Sequence, residues 1–130
     1  MPIAIVDDDI SVRKALARLL SAHSFEAEIF GSAREFVTSP HLRNFECLIL
    51  DQHMPDVTGL NLQIHLRRIG VVIPTIIITA YNEIGLHEKC IAAGAASFLV
   101  KPIDSEILID AINCVGVQFK GNRPCSEGAS

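Results

Sequence analysis

The sequence lacks several features that mark whole classes of protein. It has no apolar run near the roughly 20 residues that a membrane-spanning helix needs, and it has no recognisable secretory leader. Basic residues number 11 against 15 acidic ones and form no stripe, so direct binding to nucleic acid or to an anionic membrane is not expected. These absences favour a cytoplasmic protein without a membrane partner.

Metal-binding and nucleotide-binding motifs are also missing. The cysteines lie far apart and form no Cys-x-x-Cys pair, which predicts reduced thiols rather than a zinc site or a disulfide framework. They are Cys47, Cys90, Cys114 and Cys125. Neither standard type of glycine-rich phosphate loop occurs, so bound nucleotide is not expected.

Apolar, strand-like runs alternate with amphipathic, helix-like segments along the chain of 130 residues. The predicted strands are 2–6, 25–30, 45–50, 73–79 and 96–100. The predicted helices are 10–23, 32–37, 58–70, 83–94 and 104–119. The central strands are apolar without alternation, which is typical of parallel strands covered on both faces. The pattern predicts one α/β domain over residues 1–119, with a doubly wound five-stranded parallel sheet, and a linker or tail over 120–130.

Three carboxylates stand together where the first strand is predicted to end. Asp7, Asp8 and Asp9 directly follow the apolar run IAIV. Like charges this close repel one another, so the cluster is either well solvated or holds a cation. Acidic residues are also favoured at a helix N-terminus, which is the simplest interpretation of Asp9.

Polar side chains also stand at the ends of three later strands: Asp51, Thr79 and Lys101. In an open parallel sheet, ligands bind at the carboxyl ends of the strands, so we expect these residues to converge with the acidic cluster. Carboxylates without histidine or cysteine ligands suit Mg²⁺ better than Zn²⁺. A lysine and a hydroxyl beside such a metal suit a phosphoryl group, and a carboxylate is then the natural acceptor.

At these positions the sequence resembles the receiver domain of bacterial two-component response regulators. The resemblance covers about residues 2–117 and rests on VDDD (6–9), LILDQHMPDVTGL (48–60), IIITA (76–80) and FLVKP (98–102). The shorter pieces SAREF and TGLNLQ resemble the FixJ-like subgroup. The resemblance implies a flavodoxin-like receiver fold with the strand order 2-1-3-4-5.

The resemblance implies that Asp51 is the phosphoacceptor and also a ligand of Mg²⁺. Asp8 matches the direct Mg²⁺ ligand, and Asp7 matches an acidic neighbour that acts through water. The backbone carbonyl of His53 matches the third protein ligand. The side chains of His53 and Tyr81, each two residues beyond a site residue, are expected to overhang the rim of the cleft.

A second group of residues matches the switch of the same family. Thr79, with the adjoining Ala80, is implied to close onto the phosphoryl group, and Lys101 to pair with it. Phe98 matches the switch aromatic residue. The Lys101–Pro102 peptide bond matches one that is usually cis in the family.

These assignments predict a signalling switch rather than a turnover enzyme, with Mg²⁺-dependent phosphotransfer and dephosphorylation promoted by the receiver itself. The expected partner is a sensor histidine kinase or a phosphotransfer protein. Phosphorylation is expected to alter the face formed by the fourth helix, fifth strand and fifth helix, and so to control dimerisation or an effector domain. Nucleic acid is expected to be reached only through an effector domain absent from this chain.

Two other functions fit part of the pattern. Asp7 and Asp9 match the D-x-D signature of a haloacid dehalogenase-type phosphatase, in which Asp7 is the nucleophile. The short chain and the M-P-x-x-x-G stretch at 54–59 argue against it. A receiver-like interaction module that is never phosphorylated is the third hypothesis.

Overall fold

The fold is an α/β sandwich, seen in a computed structural model that describes residues 2–81 and 83–121, with side chains as far as 115. The strands are β1 (Pro2–Val6), β2 (Glu26–Phe30), β3 (Cys47–Asp51), β4 (Thr75–Thr79) and β5 (Ser97–Val100). The helices are α1 (Ile10–Ala22), α2 (Ala33–Val37), α3 (Gly59–Arg68), α4 (Leu86–Ala92) and α5 (Ser105–Gly121). A short 3₁₀ helix, Leu42–Asn44, precedes β3 and was not predicted.

The strands form one parallel sheet in the order β2-β1-β3-β4-β5, which confirms the predicted fold class and strand order. The chain moves to one side of β1 to place β2 and then to the other side to place β3. Loops that leave β1 and β3 therefore diverge, and a crevice opens between them at the carboxyl edge of the sheet.

Alternate residues of the central strands enter two separate apolar cores. In β3, Leu48 and Leu50 pack with the helices α2, α3 and α4, whereas Ile49 packs with α1 and α5. Every residue of β3 and β4 is buried. Helices therefore cover both faces, as the unbroken apolar runs predicted.

Most predicted elements are shorter in the structure by a few residues, and for two of them the cause is local. Helix α4 begins at Leu86 rather than at 83, because Gly85 precedes it in the left-handed conformation with a φ of 82°. Strand β4 begins at Thr75, directly after Pro74, which lacks the N–H group that a ladder hydrogen bond needs. The predicted 120–130 linker lies outside the described residues except where α5 extends to Gly121, and it stays a prediction.

Two cysteines agree with the expectation of reduced thiols, and one does not. Cys47 and Cys90 are free and buried. Burial raises the pKa of the Cys47 thiol to about 12. Cys114 is disulfide-bonded, so the expectation was wrong there; wide spacing along the sequence does not exclude a disulfide. Among the described residues, no helix is both long and apolar enough to cross a membrane.

Candidate functional site

Three carboxylates converge in the crevice at the carboxyl edge of the sheet. Asp7 follows β1, Asp8 is next to it, and Asp51 is the last residue of β3. One oxygen from each lies within 4.8 Å of the others. Asp7 and Asp51 are buried, whereas Asp8 is exposed. The arrangement gives a metal-sized cluster with one side open to solvent.

Asp9 is directed away from this cluster. Its Oδ1 accepts a hydrogen bond of 2.9 Å from the backbone N–H of Ser11 and so caps α1. The N–H of Asp9 in turn donates to Asp7 Oδ1 at 2.9 Å, which holds the Asp7 carboxylate in place. Asp9 is thus a helix cap, as its simplest interpretation suggested.

Lys101 reaches the cluster from the end of β5. Its Nζ lies 3.4 Å from Asp7 Oδ2 and 3.4 Å from Asp51 Oδ1, so one ammonium bridges both buried carboxylates. The Lys101 N–H donates to the carbonyl of Thr79 at 2.7 Å, and the Lys101–Pro102 peptide bond is cis. Three carboxylates and one ammonium leave a formal excess of two negative charges.

The electrostatics of the cluster follow from burial and charge. Burial raises the pKa of Asp51, and the charge of Asp7 raises it further; Lys101 and the backbone N–H of His53 oppose this. Burial acts to lower the pKa of Lys101, but the charges of Asp51 and Asp7 outweigh it and the net shift is upward. Lys101 therefore stays positive, and the carboxylates remain incompletely neutralised.

The donor set fits a hard divalent cation. Carboxylate oxygens from three residues lie close enough to share one ion, and the exposed Asp8 leaves space for waters that Mg²⁺ characteristically keeps. Within the described residues, these three are the group of histidine, cysteine, aspartate or glutamate side chains close enough to share an ion. A dication would offset the two uncompensated negative charges.

The loop after Asp51 is held by contacts that the sequence did not reveal. Gln52 is buried; its carbonyl accepts from Gly59 N–H at 3.0 Å, and its Oε1 accepts from Leu60 N–H at 2.8 Å. A Cβ on Gly59 would lie 2.8 Å from the Asp51 carbonyl oxygen, closer than real Cβ contacts. The glycine of the M-P-x-x-x-G stretch is therefore required by this close approach.

Arg13 supports the other side of the crevice and was also not predicted. Its Nη1 donates to the Asp7 carbonyl at 2.8 Å, from the first turns of α1. The sequence carries no signal for this contact, because an exposed arginine on an amphipathic helix is the ordinary case.

Thr79 lies at the crevice, but its hydroxyl is bonded within its own loop. Thr79 Oγ1 donates to the Tyr81 carbonyl at 3.0 Å and accepts from the Tyr81 N–H at 3.1 Å. Ala80, between them, is exposed. The implied contact between this hydroxyl and a phosphoryl group therefore requires the loop to rearrange and stays a prediction.

Two aromatic rings meet at the rim. His53 and Tyr81 contact edge to face, with ring centroids 5.1 Å apart. Tyr81 is 64% exposed, and His53 is half-buried with its Nε2 buried and lacking a hydrogen-bond partner. The loops after β3 and β4 thus bring the two rings together, and the expectation that they overhang the crevice stays a prediction.

Phe98 is partly buried against the core and is covered by a residue that the sequence analysis did not single out. The ring of His87, from α4, stacks on Phe98 with centroids 5.1 Å apart and planes 15° from parallel. No spacing in the sequence indicates this pair, because the two rings come from different elements.

This fold and this carboxylate site define a receiver domain. The sequence profile of the family described as the response regulator receiver domain matches residues 3–113, and the chain belongs to that family. This membership confirms the resemblance drawn from the motifs. The chain is therefore the kind of domain found in two-component response regulators.

Individual relatives place the chain near the FixJ-like regulators. It is 38% identical to nodulation protein W of Bradyrhizobium diazoefficiens over 83% of this chain and 48% of that protein. It is 36% identical to the transcriptional regulatory protein FixJ of Rhizobium meliloti over 83% and 53%, respectively. The crystal structure of FixJ-N has a TM-score of 0.78 at 34% identity, over 86% of this chain and 90% of that one. The chain spans about half the length of these curated relatives.

Proposed function

We propose that this chain is a phosphorylation-dependent signalling switch that operates in the cytoplasm. Asp51 accepts a phosphoryl group from a phosphohistidine on a sensor histidine kinase or a phosphotransfer protein. The observation that carries the proposal is the bridge made by Lys101 Nζ, which lies 3.4 Å from a carboxylate oxygen of Asp7 and 3.4 Å from one of Asp51. The carboxylate of Asp8 lies beside this pair and completes the cluster. A buried acceptor with one fixed cation and an open side is suited to an incoming phosphoryl group.

The chemistry assigned to Asp51 is a direct substitution at phosphorus. A carboxylate oxygen forms the new P–O bond while the P–N bond of the phosphohistidine breaks. The electron pair of that bond stays on the imidazole, which takes up a proton and leaves neutral. The receiver contributes placement of the acceptor and neutralisation of charge rather than a turnover cycle.

Mg²⁺ is the cofactor that the donor set supports. Asp8, Asp51 and the His53 carbonyl would hold it directly, and Asp7 through a water. When bound, the ion supplies positive charge that neutralises the acceptor and phosphoryl oxygens. Lys101, held in the crevice by two carboxylates, is placed to pair with the phosphoryl group as it arrives.

The new group brings a charge of roughly −1.5 to −2 at neutral pH, by analogy with other phosphorylated residues. Thr79 Oγ1 then exchanges its hydrogen bonds with Tyr81 for the phosphoryl oxygens, and the loop at 80–81 moves with it. Phe98 turns inward, away from His87. A coupling free energy of about 1–3 kcal/mol between the phosphorylation site and the distal face of the domain suffices for such a switch.

The test is labelling by a phosphorylated histidine kinase in Mg²⁺. The parent should give an acid-stable, base-labile phosphoprotein, and Asp51→Asn should give none. Asp56→Asn is the matched control, because Asp56 is an exposed carboxylate in the same loop. Stoichiometric labelling of Asp51→Asn would contradict the proposal and favour Asp7 as the acceptor.

The structure gives no support to the phosphatase alternative, because Asp9 caps α1 and is absent from the carboxylate cluster. A phosphorylation-independent module would be favoured if the parent neither bound Mg²⁺ nor became labelled.

The output surface is proposed to be the α4-β5-α5 face. Of three consecutive apolar residues in α5, Leu108 is buried, Ile109 is partly buried and Ile107 is 50% exposed. Ile91 of α4 and Val100 of β5 are also exposed, so each element of this face presents an apolar side chain to solvent. Phosphorylation is proposed to favour homodimers through this face or to control an effector domain outside this chain, through which DNA is reached. Sedimentation of both phosphorylation states at equal concentration, with Ile107→Lys as control, tests the dimer.

A further inference from the structure

Gln52 connects the residue position that follows Asp51 to the start of α3. Its backbone N–H donates to the Ile78 carbonyl at 2.8 Å, which continues the pairing of β3 with β4. Its backbone carbonyl accepts from Gly59 N–H at 3.0 Å, and its side-chain Oε1 accepts from Leu60 N–H at 2.8 Å. One residue therefore fixes the end of a strand and the beginning of the next helix.

The two contacts with α3 close the loop between the strand and the helix. The first N–H groups of a helix have no acceptor inside the helix, and those of Gly59 and Leu60 both find one in Gln52. A Cβ on Gly59 would lie 3.1 Å from Gln52 Cα and 3.1 Å from Gln52 Oε1, so the approach also depends on the glycine. Residues 53–58 thus form a loop whose ends are joined by the hydrogen bonds of one glutamine.

The first residue of this loop is His53, whose backbone lies against the carboxylate cluster. The His53 N–H bonds the Asp51 carboxylate and acts to lower its pKa. Met54 also anchors the loop, because it is only 8% exposed and packs in the core. A methionine side chain is unbranched and adapts to its surroundings, so it fixes the depth of the loop better than the direction of a peptide group. Hydrogen bonds are directional, and those of Gln52 supply that direction.

We propose that Gln52 is a positioning residue, which orients the His53 carbonyl toward a cation held by the carboxylates. The inference rests on the proposed function, in which that carbonyl is the third protein ligand of Mg²⁺. An apolar residue at position 52 would leave the Leu60 N–H without its acceptor and would free the loop to turn the carbonyl away. Partners beyond the direct ligands typically change metal affinity by roughly 10–100-fold.

The test is a Mg²⁺ titration of the unphosphorylated parent and of Gln52→Met, followed by calorimetry and by ¹H–¹⁵N NMR. Gln52→Met should bind Mg²⁺ about tenfold more weakly, at the lower end of that range because Gln52 acts through the loop. Gln63→Met is the matched control. Gln52 and Gln63 are each 5% exposed, but Gln63 lies within α3, where its Nε2 donates to the Ala93 carbonyl. The Mg²⁺ affinity of Gln63→Met should equal that of the parent.

The Met54 amide distinguishes positioning from a general loss of stability. A metal on a carbonyl oxygen polarises the peptide group, so the ¹⁵N resonance of Met54, which shares a peptide bond with the His53 carbonyl, should move when Mg²⁺ binds. At saturating Mg²⁺ this shift should be retained in Gln63→Met and greatly reduced in Gln52→Met. Gln52→Glu keeps an oxygen with the same reach to Leu60 and should restore the shift. The shift is the readout for Gln52→Glu, because its added negative charge would itself favour Mg²⁺ binding.

The outcomes that would overturn the inference differ in what else they remove. Equal affinities and equal Met54 shifts in the parent and Gln52→Met would reduce Gln52 to a cap of α3 and leave the proposed function intact. Equal losses in Gln52→Met and Gln63→Met, or no restored shift in Gln52→Glu, would do the same. A parent that binds Mg²⁺ without a Met54 shift would overturn the inference and remove the His53 carbonyl from the ligands. A parent that binds no Mg²⁺ would overturn both the inference and the proposed role of Mg²⁺.

Discussion

The two edges of this sheet are built from the same strands but hold different chemistry. At the carboxyl edge, β1 and β3 end in buried carboxylates, Asp7 and Asp51, which share one ammonium. At the amino edge, the segment that leads into β4 contains Ile73 and Pro74, and the polar group nearby is the neutral amide of Gln63. Among the described residues, buried charge is thus confined to the carboxyl edge, whereas the charged residues at the amino edge, such as Glu26, Glu46 and Arg67, are exposed to solvent.

The two edges of the sheet depend on different interactions for their stability. Buried like charges oppose folding, so the carboxyl edge depends on Lys101, and a bound cation would stabilise it further. The amino edge depends on packing and on backbone conformation. Substitutions that test one edge should therefore leave the other largely unchanged.

The largest effect is expected when the shared cation is removed. Lys101→Met leaves Asp7 and Asp51 facing each other, and should lower the free energy of unfolding by about 2 kcal/mol at pH 8 without Mg²⁺. This is below the roughly 3–5 kcal/mol of a fully buried pair, because the Lys101 side chain is 24% exposed and partly solvated.

The pH dependence of Lys101→Met follows from the raised pKa of Asp51. A carboxyl whose pKa is higher in the folded than in the unfolded state binds its proton more tightly when folded, so stability rises as the pH falls between those two values. Because Lys101 acts to lower the pKa of Asp51, its removal raises that pKa further, and the variant gains more stability on protonation than the parent does. The deficit of Lys101→Met should therefore shrink from pH 8 to pH 5. Urea unfolding at both pH values measures it, and an equal loss in Lys89→Met, which changes an exposed lysine of α4, would contradict the explanation.

A pair of glycines at the two ends of α3 separates close packing from backbone conformation. Gly59→Ala places a Cβ 2.8 Å from the Asp51 carbonyl and should destabilise the fold by about 2 kcal/mol through overpacking. Gly70→Ala meets nothing within 4 Å but has a φ of +77°, so about 1 kcal/mol is expected from conformation alone. Gly59→Ala should also slow phosphorylation of Asp51, and Gly70→Ala should not. The reverse order of stabilities would be inconsistent with this geometry.

Neighbouring aspartates should give opposite results in Mg²⁺ titrations. Asp8→Ala removes a proposed direct ligand and should weaken Mg²⁺ binding about tenfold or more, about 1.4 kcal/mol at least. Asp9→Ala removes the cap of α1 and should lower stability by about 1 kcal/mol while leaving Mg²⁺ affinity unchanged. Calorimetry and thermal unfolding on both variants distinguish the roles, and equal Mg²⁺ affinities in the parent and Asp8→Ala would remove Asp8 from the site.

The smallest effect is expected at the rim. His53→Ala or Tyr81→Ala opens the edge-to-face pair over the crevice, so the access of water to the acyl phosphate changes. The dephosphorylation rate should change a few-fold, less than about 1.4 kcal/mol in activation free energy, with phosphorylation retained. Decay of the labelled protein measures the rate. Ile84→Ala, at a fully exposed residue nearby, is the control, and a matching change there would contradict the proposed shielding.

The sequence predicted those parts of the molecule that follow from strand ends and apolar periodicity. Asp7, Asp51, Thr79 and Lys101 each stand at the end of an apolar run, so the topology of a parallel sheet is enough to bring them together. The cap by Asp9 follows equally from local chemistry.

Contacts between side chains of separate elements were not predictable in this way. Arg13 and Gln52 hold the crevice through backbone carbonyl and N–H groups, which leave no pattern in the sequence. The length of α4 depended on the left-handed Gly85, and a glycine alone does not indicate which sign its φ takes. The orientation of the Thr79 hydroxyl depended on the Tyr81 backbone, which no residue type encodes.

The stacking of His87 on Phe98 also makes the proposed motion of Phe98 visible. The imidazole stacks on the benzene ring with 5.1 Å between centroids, so its protons experience the ring current of Phe98. If Phe98 turns inward on phosphorylation, that ring-current contribution is lost and the resonances of those protons move. The molecule thus contains its own spectroscopic reporter of the aromatic switch, readable by proton NMR without a label.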